Sequence, residues 1–301
     1  MVVLTDFKLM KKLLKELYCI IMKKIFFLFL SVFIFSTSNA KDVSEFFNNI
    51  IPGEGLTEAS IQLNEDDNPD LEILALREFQ STNNSNLFTQ FSIHTQETNG
   101  HNRILGNLGF GYRKLSEDKS SMMGINVFLD NDFNAGHQRG SVGFELKGAN
   151  LDLTANSYHK ITNMETYKDT EEQVLSGYTI NLASQLPYTP WAKINWQNYA
   201  WENEKASSDT EGNSIALQAY LTPSVQLEFK NDMSDSSGVD DEFTSKLTFI
   251  YPPREDGKSM QDGFSNVAFE KENIEKKLKE KVERNNNMTV EVQGSIIVTS
   301  K

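Results

Sequence analysis

Between about Thr57 and Tyr251, apolar residues recur at every second position, in stretches of roughly 8–13 residues separated by turn-forming residues. The clearest stretch sets Met123, Ile125, Val127 and Leu129 against Gly124, Asn126, Phe128 and Asp130. Ile104, Gly106, Leu108, Phe110 and Tyr112 alternate with Asn107, Gly109, Gly111 and Arg113 in the same way. Val225, Leu227 and Phe229 repeat the pattern, as do Phe243, Leu247, Phe249 and Tyr251. A period of two gives a strand one apolar and one polar face. Twelve strands are predicted, over 57–64, 70–81, 87–97, 103–115, 121–131, 139–148, 151–161, 173–186, 191–201, 213–221, 225–232 and 242–251.

The connections alternate in kind along the chain. Short ones cover 82–86, 116–120, 148–150, 187–190 and 222–224, and longer polar ones 98–102, 131–138, 162–172, 202–212 and 233–241. Short turns on one side and long loops on the other are the pattern of an outer-membrane barrel. An unpaired backbone group costs several kcal/mol in lipid, so the sheet must close, with 57–64 pairing 242–251. The expected fold class is therefore all-β, a 12-stranded antiparallel transmembrane β-barrel occupying 57–251. Tyr112, Phe133, Tyr188, Trp191, Tyr199, Trp201 and Tyr251 lie near strand ends, where aromatic girdles meet the lipid–water boundary. Cross-strand pairing in hairpins is the plainer account of them. Glycines 106, 109, 111, 124, 140 and 143 lie inside strands, serving either curvature or a segment lodged in the lumen.

The flanks differ from this region. Pro252-Pro253 ends the sheet, and 264–283 is predicted to form a charged helix with Ile274, Leu278 and Val282 as a thin apolar stripe. Asn285-Asn286-Asn287 breaks it, and Met288 to Val298 reads as extended. So polar a helix suits a water-filled lumen or the periplasmic mouth, with a solvated tail as the alternative; residues 252–301 thus form a post-barrel helix and linker. At the other end, Lys23 and Lys24, an apolar run from Ile25 to Phe35 and the small-residue site Ser38-Asn39-Ala40 make 22–40 a signal peptide cleaved near Ala40. Its apolar run is well short of the roughly 20 residues that span a bilayer. Residues 1–21 read as an upstream extension, and 41–56 as a periplasmic leader with a helical patch from Val43 to Ile51.

Composition alone suggests something else. With 301 residues, a net charge of −13 and a mean hydropathy of −0.45, the chain looks like a soluble acidic protein. A barrel escapes that inference, because only alternate residues face lipid. The acidic balance argues against nucleic acid as a partner, since phosphate binding needs clustered Lys and Arg. The one cysteine, Cys19, precedes the mature start, so no disulfide or thiolate metal site is expected.

No set of residues rises to a catalytic, cofactor-binding or metal site. Asp130 to Gly136 resembles a calcium loop, but its glycine is one place late and Ser141 stands where a bidentate Glu belongs. His94, His101, His137 and His159 lack metal-ligand spacing. His101 and His137 fall in predicted loops as solvated residues, and Glu165, Glu171 and Asp240 read as solvated loop carboxylates. Gly106 to Gly111 opens no helix and so cradles no phosphate. No Ser/His/Asp set can be assembled, so the chain is expected not to be an enzyme and to need no cofactor.

The series Gly106 to Arg113, Met123 to Phe133, Gly143 to Leu146, Leu153 to Tyr158 and Leu186-Pro187-Tyr188 resembles, in order and spacing, the translocator barrel of intimin and invasin, the inverse autotransporters. Val282 to Glu291 is similar to the linker that follows that barrel. The resemblance covers roughly 55–295. It implies a barrel whose N-terminus is periplasmic, whose linker rises through the pore, and whose C-terminal passenger is displayed outside, often as an adhesin. Only Gln293 to Lys301 follow the linker, so the passenger is expected to be missing from this chain. The expected partners are outer-membrane lipid, the Sec channel, periplasmic chaperones, the barrel-assembly machinery and a separately encoded passenger. The expected role is anchoring or exporting the C-terminal segment. The alternatives are a small porin or passive channel with a plug-like tail, an anchor for a separately encoded adhesin, or a soluble secreted β-protein.

Overall fold

The computed structural model describes residues 51–297, apart from 66–67, 207, 237–240, 255–256, 271–273 and 293–294. The expected upstream extension, signal peptide, cleavage site at Ala40 and helical patch from Val43 lie outside the described residues, as do Asp240 and Lys301.

Twelve strands form one closed antiparallel barrel. They are β1 (Gly55–Asn64), β2 (Asp70–Ser81), β3 (Ser85–Thr98), β4 (His101–Leu115), β5 (Met122–Asp132), β6 (Gln138–Lys147), β7 (Leu151–Lys160), β10 (Ser176–Leu186), β11 (Thr189–Glu202), β12 (Thr210–Thr222), β13 (Val225–Ser234) and β14 (Glu242–Tyr251). Each pairs with its neighbours in sequence, and β1 closes the cylinder against β14 in register from Thr57↔Tyr251 to Asn64↔Thr244. Closure leaves no edge with unpaired N–H and C=O groups, the condition a hydrocarbon solvent imposes.

The alternation runs inside out relative to a water-soluble protein. On β5, Ile125 is 61% exposed on the outer face, whereas Asp130 is 0% exposed on the inner one. On β4, Ile104, Leu108, Phe110 and Tyr112 face outward while Arg103, Asn107 and Arg113 are buried within. Among the described residues no helix is long and apolar enough to cross a membrane; the crossing elements are strands.

Four further strands, β8 (Glu165–Tyr167), β9 (Thr170–Val174), β15 (Val290–Val292) and β16 (Ser295–Ile297), form a separate sheet in the order β16-β15-β9-β8. β8 and β9 make a hairpin in the loop between β7 and β10. β15 and β16 belong to the C-terminal segment. The predicted strand over 173–186 is thus two elements, β9 and β10, which belong to different sheets. The connection expected at 98–102 is a two-residue turn, Asn99 (φ 51°) and Gly100 (φ 70°). Positive φ at both positions is what a type I′ hairpin needs. One end of the barrel carries the turns at 82–84, 116–121, 148–150, 187–188 and 223–224; the other carries that tight turn and the longer loops.

Among the described residues, the helix predicted over 264–283 is reduced to one short turn. Among the described residues only Ile274–Lys277 is α-helical, here α1, with a 3₁₀ turn at Met260–Asp262. From Lys281 to Thr289 the segment is neither helix nor strand, because groups on the barrel wall take the hydrogen bonds that helical neighbours would otherwise supply. Tertiary partners overrode local propensity.

Candidate functional site in the barrel lumen

The inner face of the barrel is polar, and residues of the chain's own C-terminal segment fill it. Arg284 through Val292 are all buried. Strand glycines make the room. A Cβ on Gly109 would stand 2.4 Å from the Phe128 ring, and one on Gly111 2.3 Å from the Phe88 ring. Both glycines face inward, and the two rings pack with Leu76 around Val282 of the segment. Of the two readings for the strand glycines, room in the lumen is the one this packing supports at 109 and 111.

At the short-turn end, Ile274 and Leu278 pack on Leu115 and Met122. Lys277 donates to the Gly148 carbonyl at 2.7 Å and to Asp152 at 2.6 Å. Above it, Arg113 grips the Glu145 carboxylate at 2.8 and 2.9 Å. The same guanidinium donates to the carbonyls of Leu278, at 3.1 Å, and Glu280. Lys147 meets Glu280 at 3.0 Å, and Lys281 meets Glu58 at 3.0 Å.

Midway up the lumen, Asp130 accepts from Arg284 of the segment at 2.8 Å and from Arg139 of the wall at 2.9 Å. Arg284 lies 4.3 Å over the Phe128 ring, and Arg139 lies 4.4 Å over Tyr158. Backbone groups of the segment are taken by side chains of the wall. The Val282 N–H donates to Gln90 at 2.7 Å, the Asn285 N–H to Tyr158 at 2.7 Å, and the Met288 N–H to Gln96 at 3.0 Å. Asn156, Arg139, Asn107 and Gln96 donate to the carbonyls of Glu283, Asn285, Asn286 and Met288. A buried segment without helix or strand of its own needs such partners, because a buried unpaired backbone group costs about as much as a lost hydrogen bond.

At the long-loop end the segment becomes a strand. β15 adds to β9 with Val290↔Val174 and Val292↔Glu172 in register, and the Leu175 N–H donates to the Thr289 carbonyl at 3.0 Å. Met288, Val290 and Val292 form an apolar cluster with Leu105 and Val174. Beside it Arg103 clasps Glu172 through two bonds of 2.6 and 2.7 Å and reaches Asp132 at 3.2 Å. Burial alone would raise the Glu172 carboxyl. The two hydrogen bonds and the charge of Arg103 hold it below the ordinary carboxylate value instead.

Several sequence expectations change here. His137 is not a solvated loop residue: it is fully buried, 3.6 Å from Glu172. Tyr199 and Trp201 do not join an outer girdle; both are buried inside, with Trp201 packed on Tyr158 at 5.3 Å. Tyr112, Phe133 and Tyr188 do lie exposed. Among the described residues no group of three His, Cys, Asp or Glu side chains is arranged to hold a metal. Of the residues that matter most in the lumen, Arg113, Asp130 and Arg139 stand out in sequence only by their place on a strand's polar face, and Arg284 lies outside the strands. The available signal is charge recurring at alternate strand positions.

Residues 36–286 match the inverse autotransporter β-domain family. The chain belongs to that family. Its barrel is thus an outer-membrane barrel of the inverse-autotransporter type. It is 27% identical over 225 residues to the inverse autotransporter adhesin YeeJ of Escherichia coli K12, covering 71% of this chain and 9% of that protein. It is 32% identical over 146 residues to the putative attaching and effacing protein homolog of the same strain, covering 46% of this chain and 48% of that protein. It is 26% identical over 160 residues to intimin of Escherichia coli O111:H-, covering 50% of this chain and 17% of intimin. The chain therefore spans at most about half the length of these relatives. A solved structure from a study of in-meso crystallization of membrane proteins superposes with a TM-score of 0.63 at 20% identity, over 79% of this chain and all of that one, which bears on the fold alone.

For an inverse-autotransporter β-domain, this lumen is a binding site whose ligand is the same polypeptide. Burying charges is costly, and a buried pair adds little net stability over an apolar contact. Removing one partner of such a pair is the costly change, because it leaves the other charge buried and unpaired.

Proposed function

We propose that this barrel anchors its own C-terminal segment in the outer membrane and carries it through the pore to the outer surface. The short-turn end is periplasmic and the long-loop end external, as outer-membrane barrels are built. The observation that carries the reading is the run of wall side chains bonded to the backbone of the segment from Leu278 to Met288. Residues 274–281 close the periplasmic mouth, 282–288 fill the lumen, and 289–292 leave at the outer face.

The role is mechanical: it uses binding and confinement, with no bond made or broken by the barrel. The N-terminal signal reading supplies entry through the Sec channel and cleavage near Ala40. Periplasmic chaperones and the barrel-assembly machinery then bring the strands to lipid. A passenger joined to the segment, or encoded separately, would be displayed outside; adhesion itself would belong to that passenger.

Deleting 274–301 tests this in planar bilayers. The truncated barrel should conduct ions steadily where the full chain is closed, provided that it keeps heat-modifiable migration on gels. Arg284→Glu, which retains the whole segment, should show intermittent openings. Equal conductance in all three proteins would contradict the reading.

A further inference from the structure

Strand β15 presents two faces. Val290 and Val292 point to the apolar cluster with Leu105 and Val174, so Glu291 between them points the other way. Its carboxylate is almost fully buried, at 2% exposure. Successive backbone N–H groups of the loop after β11 hold it. The Glu204 N–H donates at 3.0 Å, that of Lys205 at 3.0 and 3.1 Å, and that of Ala206 at 2.7 Å. Three consecutive N–H groups converging on one anion form a backbone nest. Hydrogen bonds to an ionised acceptor are roughly twice as strong as neutral ones. Two further bonds brace the loop. The Asn203 N–H donates to Asp209 at 3.2 Å, and the Asn203 amide donates to Thr210 at 3.1 Å.

The geometry points to the nest at 204–206 as a carboxylate-binding site at the outer mouth, with Glu291 as the positioning residue that fixes where the threaded segment comes to rest. This rests on the reading that the segment threads the pore. A slip of one residue would turn Glu291 onto Leu105 and Val174 and place a valine in the nest, because a one-residue shift flips every side chain of a strand. A slip of two, about 6.6 Å of travel, would offer Thr289, which has no charge. The nest therefore accepts one register among the neighbouring ones. It also joins two loops, 161–175 through β9 and 203–209 through Glu291, into one clasp around the emerging strand.

Amide hydrogen exchange on the full chain in bilayer discs tests the assignment, comparing the native protein with Glu291→Gln, Glu291→Ala and Glu291→Asp. In the Gln and Ala variants the amides of Glu204, Lys205 and Ala206 should exchange at least about tenfold faster, with Val290 and Val292 following. The lumen amides of Val282, Asn285 and Met288 should keep their native rates. Glu291→Asp, which keeps the charge, should restore part of the protection at 204–206. Unchanged exchange at 204–206 in Glu291→Gln would overturn the proposal, and so would equal acceleration at every site, which marks general loosening. If the native protein itself shows unprotected Val282 and Met288, the threading reading fails, a result distinct from failure of the nest.

Discussion

Arg284 reaches Asp130 across 2.8 Å, although 154 residues separate them in the chain. One is on the C-terminal segment and the other on β5, and the contact is sealed from solvent. Asp130 also holds Arg139, so a single carboxylate balances two guanidinium groups.

Asp130→Ala should consequently be the most damaging substitution of this set. It leaves two like charges buried without their partner, and breaking a buried pair in this way costs about 3–5 kcal/mol. Arg284→Ala should cost less, because Arg139 keeps Asp130 paired. Protease cleavage of the segment at 284–292, followed in detergent against temperature, reads the difference. Similar cleavage in the two variants would show that the carboxylate does not organise the site.

Gly109→Val should dislodge Phe128, whose ring carbons stand 2.4 Å from the place of a Cβ. Overpacking of this kind costs about 1–3 kcal/mol. The double variant Gly109→Val with Phe128→Ala should recover much of the loss, since it removes the ring that clashes. Thermal unfolding of the single and double variants measures the recovery.

Acid should loosen the outer clasp through Glu172. Its folded carboxyl lies below the ordinary value, so its contribution is complete above the unfolded pKa and is lost as pH falls through the folded one. The window therefore opens near pH ~4.3 and extends downward. Arg103, Asp132 and His137 surround the group. Exchange protection of Val290 and Val292 should fall across this window in the native protein. Glu172→Gln should be weaker throughout but lose most of the acid dependence.

The outer face should tolerate no charge. Val127 lies half-exposed near the middle of β5. Val127→Arg should cost about 2–4 kcal/mol if that position meets the bilayer midplane. Folding into lipid vesicles, titrated with urea, checks the value; a change near zero would mean that this face meets water.

Much of the barrel is legible in the sequence because a period of two leaves a direct trace. Met123, Ile125 and Val127 against Asn126 and Asp130 give both faces of β5, and the Thr57–Tyr251 pairing follows from the need to close a sheet in lipid. Aromatic residues carry less information, because they occur on both faces: Tyr112 faces out, while Tyr199 and Trp201 face in. The β9–β10 boundary leaves no trace, since Thr170–Val174 and Ser176–Leu186 are separated only by Leu175 and diverge into different sheets. The C-terminal stripe Ile274, Leu278 and Val282 is apolar and buried, but it is not one helix face. Ile274 and Leu278 pack at the mouth on Leu115 and Met122, and Val282 sits on Phe88 and Phe128 in a stretch that is not helical. Those partners are brought together by closure of the barrel, and no local pattern announces them. For the same reason His137 and Glu172, loop residues in sequence, meet in a buried site.

Threading of the segment from one side of the membrane to the other is tested most directly by two single-cysteine variants, Ser265→Cys and Ser295→Cys, each in a Cys19→Ser background and probed with a membrane-impermeant maleimide on intact cells. The account predicts that the Ser295→Cys protein is labelled at once, while the Ser265→Cys protein reacts only after the outer membrane is permeabilised. Labelling of both on intact cells, or of neither until permeabilisation, would place the two positions on one side and contradict it.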